Sequence, residues 1–177
     1  ALAEHVAGSN QAFADMMNEE AASLGCTNTH FNNPHGLNDP NHYTTAHDMA
    51  LIAQAAFQND TVRKVASTVS YTLPATKNNS ARTITMGHKM LNPDSSNYYP
   101  GIIGGKTGYT SKAGNTLVTA VEKDGVRLIA VILKSSSTHY TDTKALLDYG
   151  FELVKQQGSA AQTGTSSGTA SGTSSSV

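Results

Sequence analysis

GIIGGKTGYTSKAGNT, from Gly101 to Thr116, decides how this chain is read. The β-branched pair Ile102-Ile103 runs into Gly104-Gly105, then Lys106-Thr107-Gly108. Two strand-like runs follow, Asn115 to Lys123 and Val126 to Leu133, joined by the tight turn Lys123-Asp124-Gly125. Glycines beside a strand remove every nearby Cβ, so a ligand can lie against the backbone, and a Lys and a Thr there suit an anionic ligand.

Outward from this stretch, the pattern predicts α+β architecture. LAEHVAGS, at the start, reads as helical turns closed by Gly8. Ser9 or Asn10 caps a helix with Phe13, Met16, Met17, Ala21 and Leu24 at helical spacing, and Gly25 stops it. The Met16-Met17 pair reads as core, the Tyr98-Tyr99 pair as packing too, and Cys26 as a small buried filler. Thr27 to Tyr43 is a turn-rich loop. Thr44 or Thr45 caps a third helix carrying Met49, Leu51, Ile52, Ala55, Ala56 and Phe57, with Asp48 in the first turn, where the helix dipole favours a carboxylate.

Val69 to Leu73 and Arg82 to Met86 alternate around the turn Lys77-Asn78-Asn79-Ser80 and predict a β-ribbon. The spacing predicts a last amphipathic helix over Thr141 to Gln157, with Ala145, Leu146, Tyr149, Leu153 and Val154 on one face. Helices, ribbon, three consecutive antiparallel strands and a helix exclude an alternating, parallel nucleotide-binding sheet.

Length and composition narrow the classes. A chain of 177 residues suits one domain. Residues 1–157 read as that domain, and 158–177, almost wholly Gly, Ser, Thr and Ala, as a flexible tail or linker. A net charge of −1 with scattered basic residues gives no footprint for nucleic acid. A single Cys excludes an internal disulfide. The seven His residues show no helical i, i+4 pair of the zincin kind, so no metal site is expected. His35 and His42 read instead as residues that hold their loop by bonds to backbone.

Lys-Thr-Gly accompanies S-x-x-K and S-D-N in penicillin-binding proteins and class A β-lactamases. Asn33 to Ala53 (NPHGLNDPNHYTTAHDMALIA), Tyr98 to Val118 (YYPGIIGGKTGYTSKAGNTLV) and Asp142 to Phe151 (DTKALLDYGF) widen the match. From about Ala1 to Gln157 the chain strongly resembles the serine D-Ala-D-Ala carboxypeptidases, the low-molecular-weight penicillin-binding proteins. The resemblance implies the transpeptidase-like fold, an antiparallel sheet with helices on both faces. It implies removal of the terminal D-Ala from a peptidoglycan stem peptide through an acyl-enzyme, with no cofactor. β-Lactams would be covalent ligands, and the setting extracytoplasmic, in a membrane-associated cell envelope.

Position by position, the resemblance gives Lys106 the pocket's positive charge and proton traffic, Thr107 the grip on the substrate carboxylate, and Gly108 a clear strand margin. The backbone N–H of Tyr109 corresponds to an oxyanion donor. The family often carries an Arg after the last strand; here Lys134 or His139 would substitute. Two motifs are missing. No Ser is followed three residues later by Lys, and Ser95-Ser96-Asn97, which matches S-x-N as text, sits in the wrong place and reads as a turn. Ser111 lacks a paired Lys.

The expectation is therefore the C-terminal part of a catalytic domain whose N-terminal segment carries S-x-x-K and S-x-N, inactive by itself. A non-catalytic muropeptide-binding module is the alternative of another class. A serine β-lactamase is a third, disfavoured because Thr27 to Tyr43 offers only Asp39 and no Glu as a deacylating base.

Overall fold

The computed structural model describes residues 1–164. Helices α1 (Leu2–Ala7), α2 (Asn10–Ser23), α3 (Ala46–Ala56) and α4 (Asp60–Ala66) precede the ribbon β1 (Ser70–Leu73) and β2 (Arg82–Thr85). A 3₁₀ turn at Lys89–Leu91 leads to β3 (Ile102–Thr110), β4 (Gly114–Lys123), β5 (Val126–Ser135) and α5 (His139–Gly164). The three long strands form one antiparallel sheet in the order β3-β4-β5.

Local chemistry accounts for the boundaries. Gly8, at φ 80°, closes α1; the Ser9 hydroxyl then accepts from Ala12 N–H and opens α2. Thr45 caps α3 by accepting from Asp48 N–H. Between β4 and β5, Asp124 and Gly125 both take positive φ (52° and 76°), which is the two-residue hairpin geometry that matches strand twist. Ile103 is one residue too many opposite β4, a bulge immediately before the glycine pair. The second irregularity, between Asn115 and Leu117, matches an extra residue in β5, where Lys134 is left-handed at φ 54°.

Side chains alternate across the sheet, so each face carries its own core. Leu117, Val121 and Ala130 pack with Met90, Tyr99 and Leu147 under α5. Val118, Ala120 and Ile129 pack on the other face with Ala53, Phe57 and Ala66 of α3 and α4. Burying each large aliphatic residue contributes roughly 1.5–3 kcal/mol. Helices thus cover both faces of the sheet, as expected.

Four expectations need correction. The α5 face on the sheet is Thr143, Leu147, Gly150, Phe151 and Val154, whereas Ala145, Leu146, Tyr149 and Leu153 are exposed. The reason is close approach: a Cβ at Gly150 would stand 2.9 Å from Leu128 Cδ1, so the helix sits down on β5 where it has least bulk. Met16 is 47% exposed, because Phe13, Met16, Met17 and Leu24 line an open apolar groove with Phe31 and Ile52. Cys26 is half-buried, its thiol directed at Asp48 O. Of Tyr98-Tyr99, read as a packing pair, only Tyr99 is buried. α4 was not anticipated, because only Val62 and Val65 give it periodicity.

α5 runs to Gly164, past Gln157 and into the stretch assigned to a tail; the rest of that tail lies outside the described residues. Among the described residues, β5 pairs only with β4 and β3 only with β4. No described helix is long and apolar enough to cross a membrane.

Candidate active site

An open cleft of about 700 Å³ runs beside β3. One wall is Lys106 to Thr110 of β3, and the opposite side is the loop His35-Gly36-Leu37. Gly87 and Lys89, with His139 and Tyr140 at the start of α5, form the end. Of the six residues that the sequence reading gave a site role, Lys106, Thr107, Gly108, Tyr109 and His139 line this one cleft. Lys134, left-handed near the end of β5, does not, so of the two candidate substitutes only His139 lines it.

Each wall is tied in place. Thr110 Oγ1 donates to Asn38 Oδ1 (2.8 Å), which joins the end of β3 to the opposite loop. Within that loop Leu37 N–H donates to His35 Nδ1 (3.2 Å) and Asn32 N–H to His42 Nδ1 (3.1 Å), the backbone-holding role expected for both histidines. Asp48 is buried and gathers the loop's first residues, accepting from Thr29 Oγ1 (2.7 Å) and Asn28 N–H (2.8 Å). The Thr29 bond, and then that of Asn28, hold its carboxyl below the usual range against the opposing effect of burial. The Asn115 amide donates to Ser136 O (2.9 Å) and Ser135 Oγ accepts from Thr138 N–H (3.1 Å), bringing the chain into α5 with His139 at the cleft.

The Lys106 ammonium donates to Thr107 O at 2.6 Å, so its charge lies along the strand rather than in the core. Thr107 is half-buried, and a Cβ at Gly87 would come within 3.3 Å of its hydroxyl. Tyr109 stands 71% exposed on the rim. His139 packs against Tyr140 with ring centroids 4.3 Å apart and the planes tilted by 42°, and its Nδ1 is buried without a partner. Ser95-Ser96-Asn97 is a turn, closed by Tyr98 N–H on Ser95 O (2.9 Å), and does not reach the cleft.

Three contributors escaped the sequence reading: His88, Lys89 and Tyr140. His88 is 2% exposed beneath Gly105, its Nε2 2.8 Å from Thr119 Oγ1 and its Nδ1 unpartnered. Burial lowers its pKa from 6.5 to about 4. The unfolded chain therefore takes up a proton between those values that the folded chain refuses. Stability consequently falls as pH drops from 6.5 toward 4, by roughly 3 kcal/mol for this group. In His88→Gln that share of the slope should vanish, which urea unfolding at pH 7 and at pH 4.5 will measure; an unchanged slope would contradict it.

A second concavity of about 640 Å³, between α3 and the β4–β5 hairpin, holds no nucleophile, and its Arg127 is already paired with Glu122 (2.6 Å). No group of three or more His, Cys, Asp or Glu suited to a metal exists among the described residues.

The chain is similar to known proteins over most of its length. The family profile described as D-alanyl-D-alanine carboxypeptidase matches residues 1–137. The carboxypeptidase DacF of Bacillus subtilis is 31% identical over 85% of this chain and 38% of its own length. DacB2 of Mycobacterium tuberculosis is 33% identical over 86% of this chain and 52% of its own. The chain thus spans between about two fifths and one half of these curated relatives. Among solved structures, the D-alanyl-D-alanine carboxypeptidase of M. tuberculosis superimposes with TM-score 0.70 at 32% identity, over 84% of this chain and 56% of that one. The Streptomyces K15 DD-transpeptidase gives 0.71 at 33% identity, over 80% and 54%. The sheet with helices on both faces is the fold this chain has in common with these DD-peptidases over the matched part.

Proposed function

The chain belongs to the D-alanyl-D-alanine carboxypeptidase family, and from that premise we propose that its cleft binds the D-Ala-D-Ala end of a peptidoglycan stem peptide for serine acyl transfer. The observation that carries this reading is the convergence of Lys106, Thr107, Gly108, Tyr109 and His139 on one open cleft.

The residues divide the work by their chemistry. The Thr107 hydroxyl, with His139 across the cleft, receives the terminal carboxylate. Lys106 supplies positive charge beside the scissile carbonyl and passes protons there. Gly108 leaves the margin clear, since a Cβ at that position would meet Thr116 Oγ1 at 2.5 Å. The Tyr109 N–H is an oxyanion donor, a contact typically worth about 3–4 kcal/mol of barrier. The reaction takes no cofactor.

The nucleophile is assigned to a serine in an S-x-x-K segment, with S-x-N, in the part of the relatives that this chain does not span. Removing a nucleophile that works as a unit with its base costs on the order of a millionfold in rate, so these 177 residues alone are inactive. The complete protein acts outside the cytoplasmic membrane, in the cell envelope.

The test is intact-mass measurement of the protein at its full native length after exposure to a penicillin, together with D-alanine release from an acyl-D-Ala-D-Ala peptide. A persistent adduct of one whole penicillin on a serine, with D-alanine released, is expected. D-alanine release with no adduct contradicts the covalent route; neither adduct nor release leaves the muropeptide-binding module as the better reading. Rapid turnover of the adduct indicates a β-lactamase.

A further inference from the structure

Lys89 lines the cleft, carried there by an arrangement that no motif announces. His88 is turned inward and pinned by Thr119, so its neighbours Gly87 and Lys89 are turned outward, both exposed and both on the cleft. Gly87 lies against Thr107: with a side chain it would touch the hydroxyl at 3.3 Å. Tyr140 locks the pair, its hydroxyl accepting from Lys89 N–H (3.3 Å) and donating to Gly87 O (3.2 Å). Lys89 is thereby fixed two residues from the contact with Thr107.

The charge balance is one-sided. Two lysines and two histidines line the cleft, and no carboxylate does. Lys106 lays its ammonium on Thr107 O, while the Lys89 ammonium has no partner among the described residues. A carboxylate has two oxygens, and charge-assisted bonds to both are the strong arrangement.

We propose that Lys89 is a substrate-binding residue whose ammonium takes the second oxygen of the terminal carboxylate held by Thr107, with Tyr140 as the residue that positions it. This rests on the functional reading above and adds to it a contact from the 3₁₀ turn. The contact is made in ground state and transition state alike, so it acts on KM and leaves kcat nearly unchanged.

The experiment uses the protein at its full native length and two probes: an acyl-D-Ala-D-Ala peptide and the same peptide ending in a carboxamide. Lys89→Met should raise KM for the carboxylate peptide about tenfold, the value for one charge-assisted bond discounted for exposure, with kcat within about twofold. The carboxamide peptide should be unaffected. Lys89→Arg should recover most of the loss, and Tyr140→Phe should reproduce part of it. Lys89 is exposed, so the two Lys89 variants keep their melting temperature.

An unchanged KM in Lys89→Met, while Thr107→Val raises it, overturns the assignment of Lys89 and leaves the functional reading standing. Equal losses on both peptides, or a lowered melting temperature in Lys89→Met, make the residue structural and also overturn it. If the unsubstituted protein turns over neither peptide, the functional reading falls and this one with it.

Discussion

Gly105→Ala is expected to cost about 3 kcal/mol or more, a large part of the roughly 5–15 kcal/mol that holds a domain together. The added methyl would meet His88 Cδ2 at 2.5 Å, His88 Nε2 at 2.6 Å and Val118 O at 2.5 Å. None of these can give way cheaply. The Val118 carbonyl belongs to the β4 backbone, and His88 is enclosed and bound to Thr119. Strain here also displaces the strand that carries Lys106 and Thr107. At Gly104 the nearest atoms are all side-chain atoms, the Phe57 ring at 2.5 and 3.0 Å and Ala66 Cβ at 3.2 Å, with no backbone among them. Gly104→Ala should therefore cost less, on the order of 1–2 kcal/mol. Urea denaturation of the two variants compares them directly; equal, small shifts in midpoint would show that His88 is not seated under Gly105.

Lys106→Ala is expected to reduce kcat/KM for an acyl-D-Ala-D-Ala peptide about 100- to 1000-fold in the full-length protein, the range for removing one preorganised electrostatic contact at a reacting centre. Stability should scarcely change, because the side chain is exposed and donates only to the carbonyl of its own strand. The pairing of large kinetic loss with an unchanged midpoint distinguishes a group at the reaction from one that supports the fold. A loss under about threefold would remove Lys106 from the chemistry.

These two glycine-flanked positions were readable because their information is local. β-branched residues, paired glycines and the Asp124-Gly125 turn specify strands and hairpin within a few residues, and the observed register Lys123↔Val126 follows from them. The caps at Ser9 and Thr45 were legible for the same reason. The face of α5 was not. Its buried side is made of Thr143, Gly150 and only a few apolar residues, so composition points at the wrong side, and the small volume of Gly150 against Leu128 decides.

The end of the cleft was equally hidden. Lys89 and Tyr140 are joined across 51 residues by one hydroxyl, and no spacing rule connects a 3₁₀ turn to the start of a distant helix. His88 gave no better signal, since a single histidine between Gly87 and Lys89 reads as polar surface until the glycine above it is seen to need its ring. Lys106, Thr107 and Gly108 were legible as a motif, whereas which of Lys134 and His139 lines the cleft was not. β5 is irregular at Lys134, which does not line the cleft, whereas His139 does.

Where a peptide with a free D-Ala-D-Ala terminus docks is the matter on which the account turns, and amide chemical-shift mapping during titration of such a peptide answers it. The account predicts shifts concentrated at Gly87, Lys89, Thr107 to Thr110 and His139, abolished when the peptide terminus is amidated. Shifts confined to the concavity around Gln54, Gln58 and Arg127, or shifts at the cleft that ignore amidation, would contradict it.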